Sequence, residues 1–171
     1  MNTSWQSDFR ERMEKFGRPT PDNFAPVSIK VRITSGCFHR EHSPQAYKLI
    51  DEYISKTDLV KLRAKIEEHE SGPEILVLLA VTTAGLTFAK SVVDLIAAII
   101  KARSEGTKKG DRSVEPLELI VRGYAKDGEY FEEKILRIPN DQTVTTKAIE
   151  AALAQSSKAA KKPKKKSTKK K

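Results

Sequence analysis

The stretch Glu74–Arg103, EILVLLAVTTAGLTFAKSVVDLIAAIIKAR, is the one long apolar run in an otherwise charged chain. Any fold of this chain has to give those residues a place away from water. On a helical projection Thr83, Thr87, Lys90, Asp94 and Lys101 fall on one narrow stripe. Leu78, Leu79, Leu86, Val92, Leu95, Ile96 and Ile99 cover most of the rest. A strand expects alternation over a few residues, and thirty is too many for one, so the pattern predicts a helix.

At a rise of ~1.5 Å per residue such a helix would be about 45 Å long, which is enough to cross a bilayer. Lys90 and Asp94 inside the run oppose that, at about 2.5–3.5 kcal/mol each near the bilayer centre. Pairing across one turn would soften the cost. The basic flank (Lys101, Arg103, Lys108, Lys109) would hold the C-terminus in the cytoplasm, so a charged N-terminal part would have to cross without a signal peptide. The stripe is therefore read as the solvent-facing edge of a core helix lying on a sheet, with a single membrane span over 74–103 as the alternative. Ala84-Gly85 leaves a slim middle. It predicts close packing or a slight bend, or else a break into a helical hairpin.

A chain of 171 residues accommodates one domain of ordinary size plus tails. With 32% charged and 6% aromatic residues it reads as a soluble chain with a modest core. The single Cys37 excludes an internal disulfide framework and suits a reducing, cytoplasmic setting. The net charge of +9 is local: nine lysines and no acid fall in Ser156–Lys171, which leaves 23 basic against 23 acidic residues elsewhere.

Residues 4–16 set Trp5, Phe9, Met13 and Phe16 on one helical face, with Gly17 as the stop. This short amphipathic helix cannot stand alone; it docks on the domain or fits a partner's groove. RPTPDNFAP reads as an extended linker, so residues 1–27 form an N-terminal helix and linker. Ser28–Thr34 alternates as a half-buried strand, and Ser43-Pro44 opens a helix carrying Tyr47, Ile50 and Ile54 inward. Val60, Leu62, Ala64 and Ile66 alternate with charged residues as a second strand. SEGTKKGDRS is a polar loop. Leu117, Leu119 and Val121 mark a third strand, Asp127-Gly128 a tight hairpin, and Phe131–Ile138 a fourth. Thr143 or Thr145 caps a last helix running through Gln155. The expectation is an α+β domain over 28–155, in the order β-α-β-α-β-β-α, with helices on one face of a mixed, mostly antiparallel sheet.

Few residues carry recognisable chemistry. Cys37, His39 and His42 share one loop, and zinc would accept them with His69 as a fourth ligand. The paired spacings of zinc modules are absent, so the loop is read as polar surface with no metal or cofactor assigned. Thiol–imidazole catalysis would need an orienting third group that is not legible. Glu67-Glu68 and Glu132-Glu133 read as solvated faces. No phosphate-loop, dinucleotide, HExxH or GxSxG motif is present. The segment 156–171 reads as a disordered polybasic tail. Lys158, Lys161, Lys162, Lys164, Lys165, Lys166, Lys169, Lys170 and Lys171 would bind polyanions through phosphates, either nucleic acid or anionic lipid. Without interleaved aromatics, base stacking is not expected. PKKK also resembles a basic nuclear import signal.

The stretches VKLRAKIEEHESGPE, ILVLLAVTTAGLTFAKSVVDLIAAIIKAR and LELIVRGYAKDGEYFEEKIL together resemble the bacterial effector-associated constant components of conflict systems, over roughly 28–155. The shared pattern is strand, helix, strand and turn, then a long small-residue helix, a charged break, a hairpin and a short helix. The chain departs from it in having Gly-Pro-Glu for Pro-Gly-Glu, no tryptophan or arginine run closing the long helix, and a lysine tail. The resemblance implies a non-enzymatic adaptor that works through a protein partner, and carries over no site residue. A nucleic-acid-associated protein using its lysine tail is the alternative reading.

Overall fold

The computed structural model describes residues 4–18, 20–83, 85–112, 116–125, 128–139, 142 and 144–159, with side chains through Ser156 in the last helix. The elements are α1 (Ser4–Gly17), β1 (Phe24–Ile33), α2 (Pro44–Ile54), β2 (Ala64–His69), β3 (Gly72–Thr82), β4 (Gly85–Thr87), α3 (Lys90–Lys108), β5 (Leu117–Tyr124), β6 (Tyr130–Ile138) and α4 (Thr146–Ala159). Among the described residues every strand pairing is antiparallel, in a six-stranded sheet of order β2-β3-β1-β5-β6, with β4 on the same edge of β3 as β2. The fold class is α+β, as the sequence predicts. The sheet is antiparallel rather than mixed, and the order along the chain gains a strand hairpin at its centre.

The main correction concerns Glu74–Arg103. It is not one helix: Glu74–Thr82 belongs to β3, Gly85–Thr87 is β4, and helix begins only at Lys90. Among the described residues no helix is long and apolar enough to cross a membrane, and the span over 74–103 is excluded with the helix that would have made it. The physical reason lies in β3's neighbours. Ile75, Val77 and Leu79 face α2–α4, while Leu76 packs under Phe9 and Met13 of α1. A strand covered on both faces shows a continuous apolar run in place of alternation, and by period alone it cannot be told from a buried helix. At Gly85, φ +118°, there is no helix to pack closely, bend or break into a helical hairpin: the chain there enters a strand hairpin. The remainder of the stripe behaves as expected: Lys90 and Asp94 pair at 2.8 Å on the exposed side of α3.

Other boundaries move for local reasons. β1 starts at Phe24, inside the expected linker, because Phe24–Val27 pair with Val77–Ala80 of β3. The alternating stretch after Val60 is a strand only from Ala64. Its first half is wound into turns by Asp58, whose carboxylate accepts from Lys61 N–H at 2.9 Å, and Val60 is left 88% exposed. α3 runs on through Ser104–Lys108, well into the expected polar loop. Of the hairpin signal, Asp127 lies outside the described residues, but Gly128 has φ +80° and its N–H donates to Ala125 O at 2.8 Å. Thr145 caps α4, its hydroxyl accepting from Ala148 N–H at 3.2 Å, whereas Thr143 lies outside the described residues. α4 continues to Ala159, past Gln155, with Ser156 buried. Lys158 thus lies on helical backbone, and Lys161–Lys171 fall outside the described residues.

The core lies between the sheet and α2–α4, with Ile29, Val31, Leu119, Ile96 and Ile99 almost wholly buried. α2 and α3 cross closely because Gly106 has no side chain. A Cβ there would stand 2.2 Å from Asp111 Oδ2 and 2.7 Å from Ala46 N. Asp111 replaces the expected cap of α2. Ser43 makes no capping bond; the Asp111 carboxylate accepts from Gln45 N–H at 3.1 Å and Ala46 N–H at 2.8 Å.

Candidate functional site

Three places concentrate chemistry. The first lies under α1, on the sheet face opposite the helical layer. Strand period puts Ser28 and Lys30 of β1, Glu74 of β3, Arg122 of β5, and Glu67 and His69 of β2 on that face. Glu74 is fully buried at its centre. Arg122 donates to it at 2.8 Å, Arg12 of α1 at 3.1 Å, and the Ser28 hydroxyl donates as well. His69 Nε2 stands 2.7 Å from the second carboxylate oxygen. Arg12 also reaches Glu67 at 3.1 Å. Burial pushes the Glu74 carboxyl upward; Arg122, Ser28, Arg12 and His69 outweigh it, so its pKa falls below the ordinary 4.5. Burial pushes the Lys30 amine down, against the pull of Glu74. α1 is fixed over this cluster by Phe9 and Met13, and by Tyr124 Oη donating to Gln6 O at 2.8 Å. Arg122 and Arg12 also lie over the Phe9 ring at 5.1 and 5.3 Å. A carboxylate held by two arginines in this way ties α1 to the sheet, and at neutral pH it has no proton to give.

The second place is the loop between β1 and α2. Cys37, His39 and His42 are half-buried, with ligand atoms all within 4.8 Å of one another. His69, the candidate for a fourth ligand, is not among them: it lies with Glu67 and Glu74 across the sheet edge. Burial and the adjacent Glu70 push the Cys37 thiol up, and it donates to Glu70 Oε1 at 3.6 Å. That is the opposite of the lowered pKa a nucleophilic cysteine needs. Of the acidic pairs, Glu68 holds Arg40 at 2.8 Å and Glu132 holds the Tyr130 hydroxyl at 2.7 Å.

The third place is an open groove of about 740 Å³ on the outer side of the helical layer, between α2, α3 and the start of α4. Leu49, Tyr53, Ala97, Ala98, Ala102 and Val144 give it an apolar lining. Asp94, Lys101 and Glu105 stand around it. The groove exists because α3 presents alanines at 97, 98 and 102, where larger side chains would fill the space between helices.

Sequence reasoning missed Glu74, Arg12 and Arg122, since the apolar run reads as a helix headed by Glu74 and no register links it to Ser28. The polar alternation Ser28-Lys30-Arg32 was legible, but that α1 covers it was not. Comparison with protein-family models, curated proteins and solved structures finds no match.

Proposed function

We propose that this protein is a non-enzymatic interaction module that acts by protein–protein contact through the α2–α3–α4 groove. The observation that carries the reading is the groove itself, an apolar floor of alanines with Leu49, Tyr53 and Val144, edged by Asp94, Lys101 and Glu105. An apolar centre inside a charged rim is the anatomy of a docking patch. The partner it fits presents a few aliphatic or aromatic side chains to that floor, as an amphipathic helix does. The resemblance to effector-associated constant components adds a setting, a bacterial conflict or signalling assembly in the cytoplasm. It rests on the element pattern around the β5–β6 hairpin and on α3, since Glu74–Thr82 is strand and not part of a long helix.

The test is Ala98→Glu, which keeps a good helix former and places a charge on the groove floor. Affinity capture with the full chain and with this variant, read by quantitative mass spectrometry, should show partner proteins that the variant loses while its melting temperature holds. An unchanged capture profile would exclude the groove as the binding surface. A second reading has its own observation: all nine surplus lysines lie between Lys158 and Lys171, so any polyanion binding concentrates there.

A further inference from the structure

We propose that the β1–α2 loop is a binding site for a borderline-soft divalent metal, zinc first, with Cys37, His39 and His42 as its protein ligands and water in the fourth position. The spacing Cys-x-His-x-x-His has a structural cause in this fold. Phe38 is buried in the core, its N–H donates to Glu70 O at 2.9 Å, and its carbonyl accepts from Tyr47 Oη at 2.9 Å. With Phe38 turned inward and locked, its two neighbours Cys37 and His39 are left together at the surface. The chain then turns back: His39 O accepts from His42 N–H at 3.1 Å and Ser43 N–H at 2.9 Å. That turn brings the His42 ring within 4.6 Å of the His39 ring, centre to centre.

Three ligand atoms within 4.8 Å of one another are close to what a tetrahedral ion needs. Zinc bonds of ~2.0–2.3 Å place neighbouring ligands about 3.3–3.8 Å apart, a difference that side-chain rotation can close. A second observation points the same way. His39 Nδ1 is shielded from solvent and has no hydrogen-bond partner, a polar atom left over by the protein's own bonding. Glu70, at 3.6 Å from the sulfur, adds negative charge beside the site. Metal binding replaces the thiol proton, which leaves to solvent as the zinc–thiolate bond forms. Thiolate with two imidazoles selects zinc, cobalt, nickel or copper over magnesium and calcium, which prefer oxygen. The second cluster, Glu67, His69 and Glu74, is a weaker claimant because two cations already stand in it: Arg12 and Arg122 hold Glu74 Oε1, and Arg12 also pairs with Glu67.

The experiment titrates the full chain, made without a histidine tag, with Co²⁺ and then displaces it with Zn²⁺. One cobalt per chain should give a near-ultraviolet thiolate charge-transfer band that zinc abolishes. Cys37→Ser should remove the band, and His42→Ala should weaken binding by more than about a hundredfold, beyond the cost of losing a mere supporting shell. His69→Gln should leave both intact. Circular dichroism confirms that each variant is folded; both substituted loop residues are part-exposed, so the core is not disturbed. The proposal is overturned if no charge-transfer band forms, if Cys37→Ser with His42→Ala binds as tightly as the original chain, or if His69→Gln is the variant that loses the metal.

Discussion

Glu74 shows how one side chain can hold two layers together. Removing its charge leaves Arg122 and Arg12 facing a neutral group on a covered surface, which is far more costly than losing a surface pair. Glu74→Gln is expected to lower stability by about 3 kcal/mol at neutral pH, measured by urea unfolding. Because the folded-state pKa is depressed, the carboxylate's contribution is complete above the ordinary 4.5 and is lost as pH falls through that value toward the folded one. The gap between the original chain and Glu74→Gln should therefore narrow as the pH is lowered below about 4.5. A gap that stays constant down to the acid transition would remove Glu74 from the ionised role assigned to it. Gly72 is constrained for a different reason. Its φ is +139° and a Cβ would lie 2.1 Å from Val31 O, so the turn into β3 accepts no side chain.

At the scale of elements, the α2–α3 crossing depends on one absent methyl group. Helix propensity alone says that Gly106→Ala should stabilise α3, by about 1 kcal/mol. The Cβ would instead strike the Asp111 carboxylate and the backbone of Ala46 that it caps. The net expectation is a loss of about 2 kcal/mol, a clash together with a cap displaced from the α2 N-terminus. Thermal unfolding decides the sign, and a raised melting temperature would show that the crossing has slack. None of this was legible in the sequence. Ser43-Pro44 correctly marked where α2 begins, but the group that satisfies its first N–H donors comes from Asp111, far along the chain. Local pattern locates a helix end more readily than it finds the partner that completes it.

For the whole molecule, charge is divided between a neutral body and a cationic end. Ending the chain at Ala159 removes eight of the nine terminal lysines. Binding to a labelled DNA duplex at low salt should fall by at least about tenfold. The dependence of log affinity on log salt should flatten by ~0.9 for each phosphate that is no longer neutralised. Retained affinity and slope would place polyanion recognition in the sheet and helices instead. Groove and tail lie in separate parts of the chain, so Ala98→Glu and the truncation should act independently.

The sequence by itself determined the α+β class, the amphipathic α1, the β5–β6 hairpin, the start of α2 and the lysine-rich end. Each is written in short-range signals such as period, cap, turn residue or charge run. Tertiary structure alone decided that Glu74–Thr82 is a strand, because its period disappears once α1 covers one face and α2–α4 the other. It alone decided that His69 goes to Glu74, away from the loop in which the sequence already grouped Cys37, His39 and His42, and how closely those three approach. Strand register and a buried aromatic set those meetings, and neither can be read from the spacing of residues along the chain.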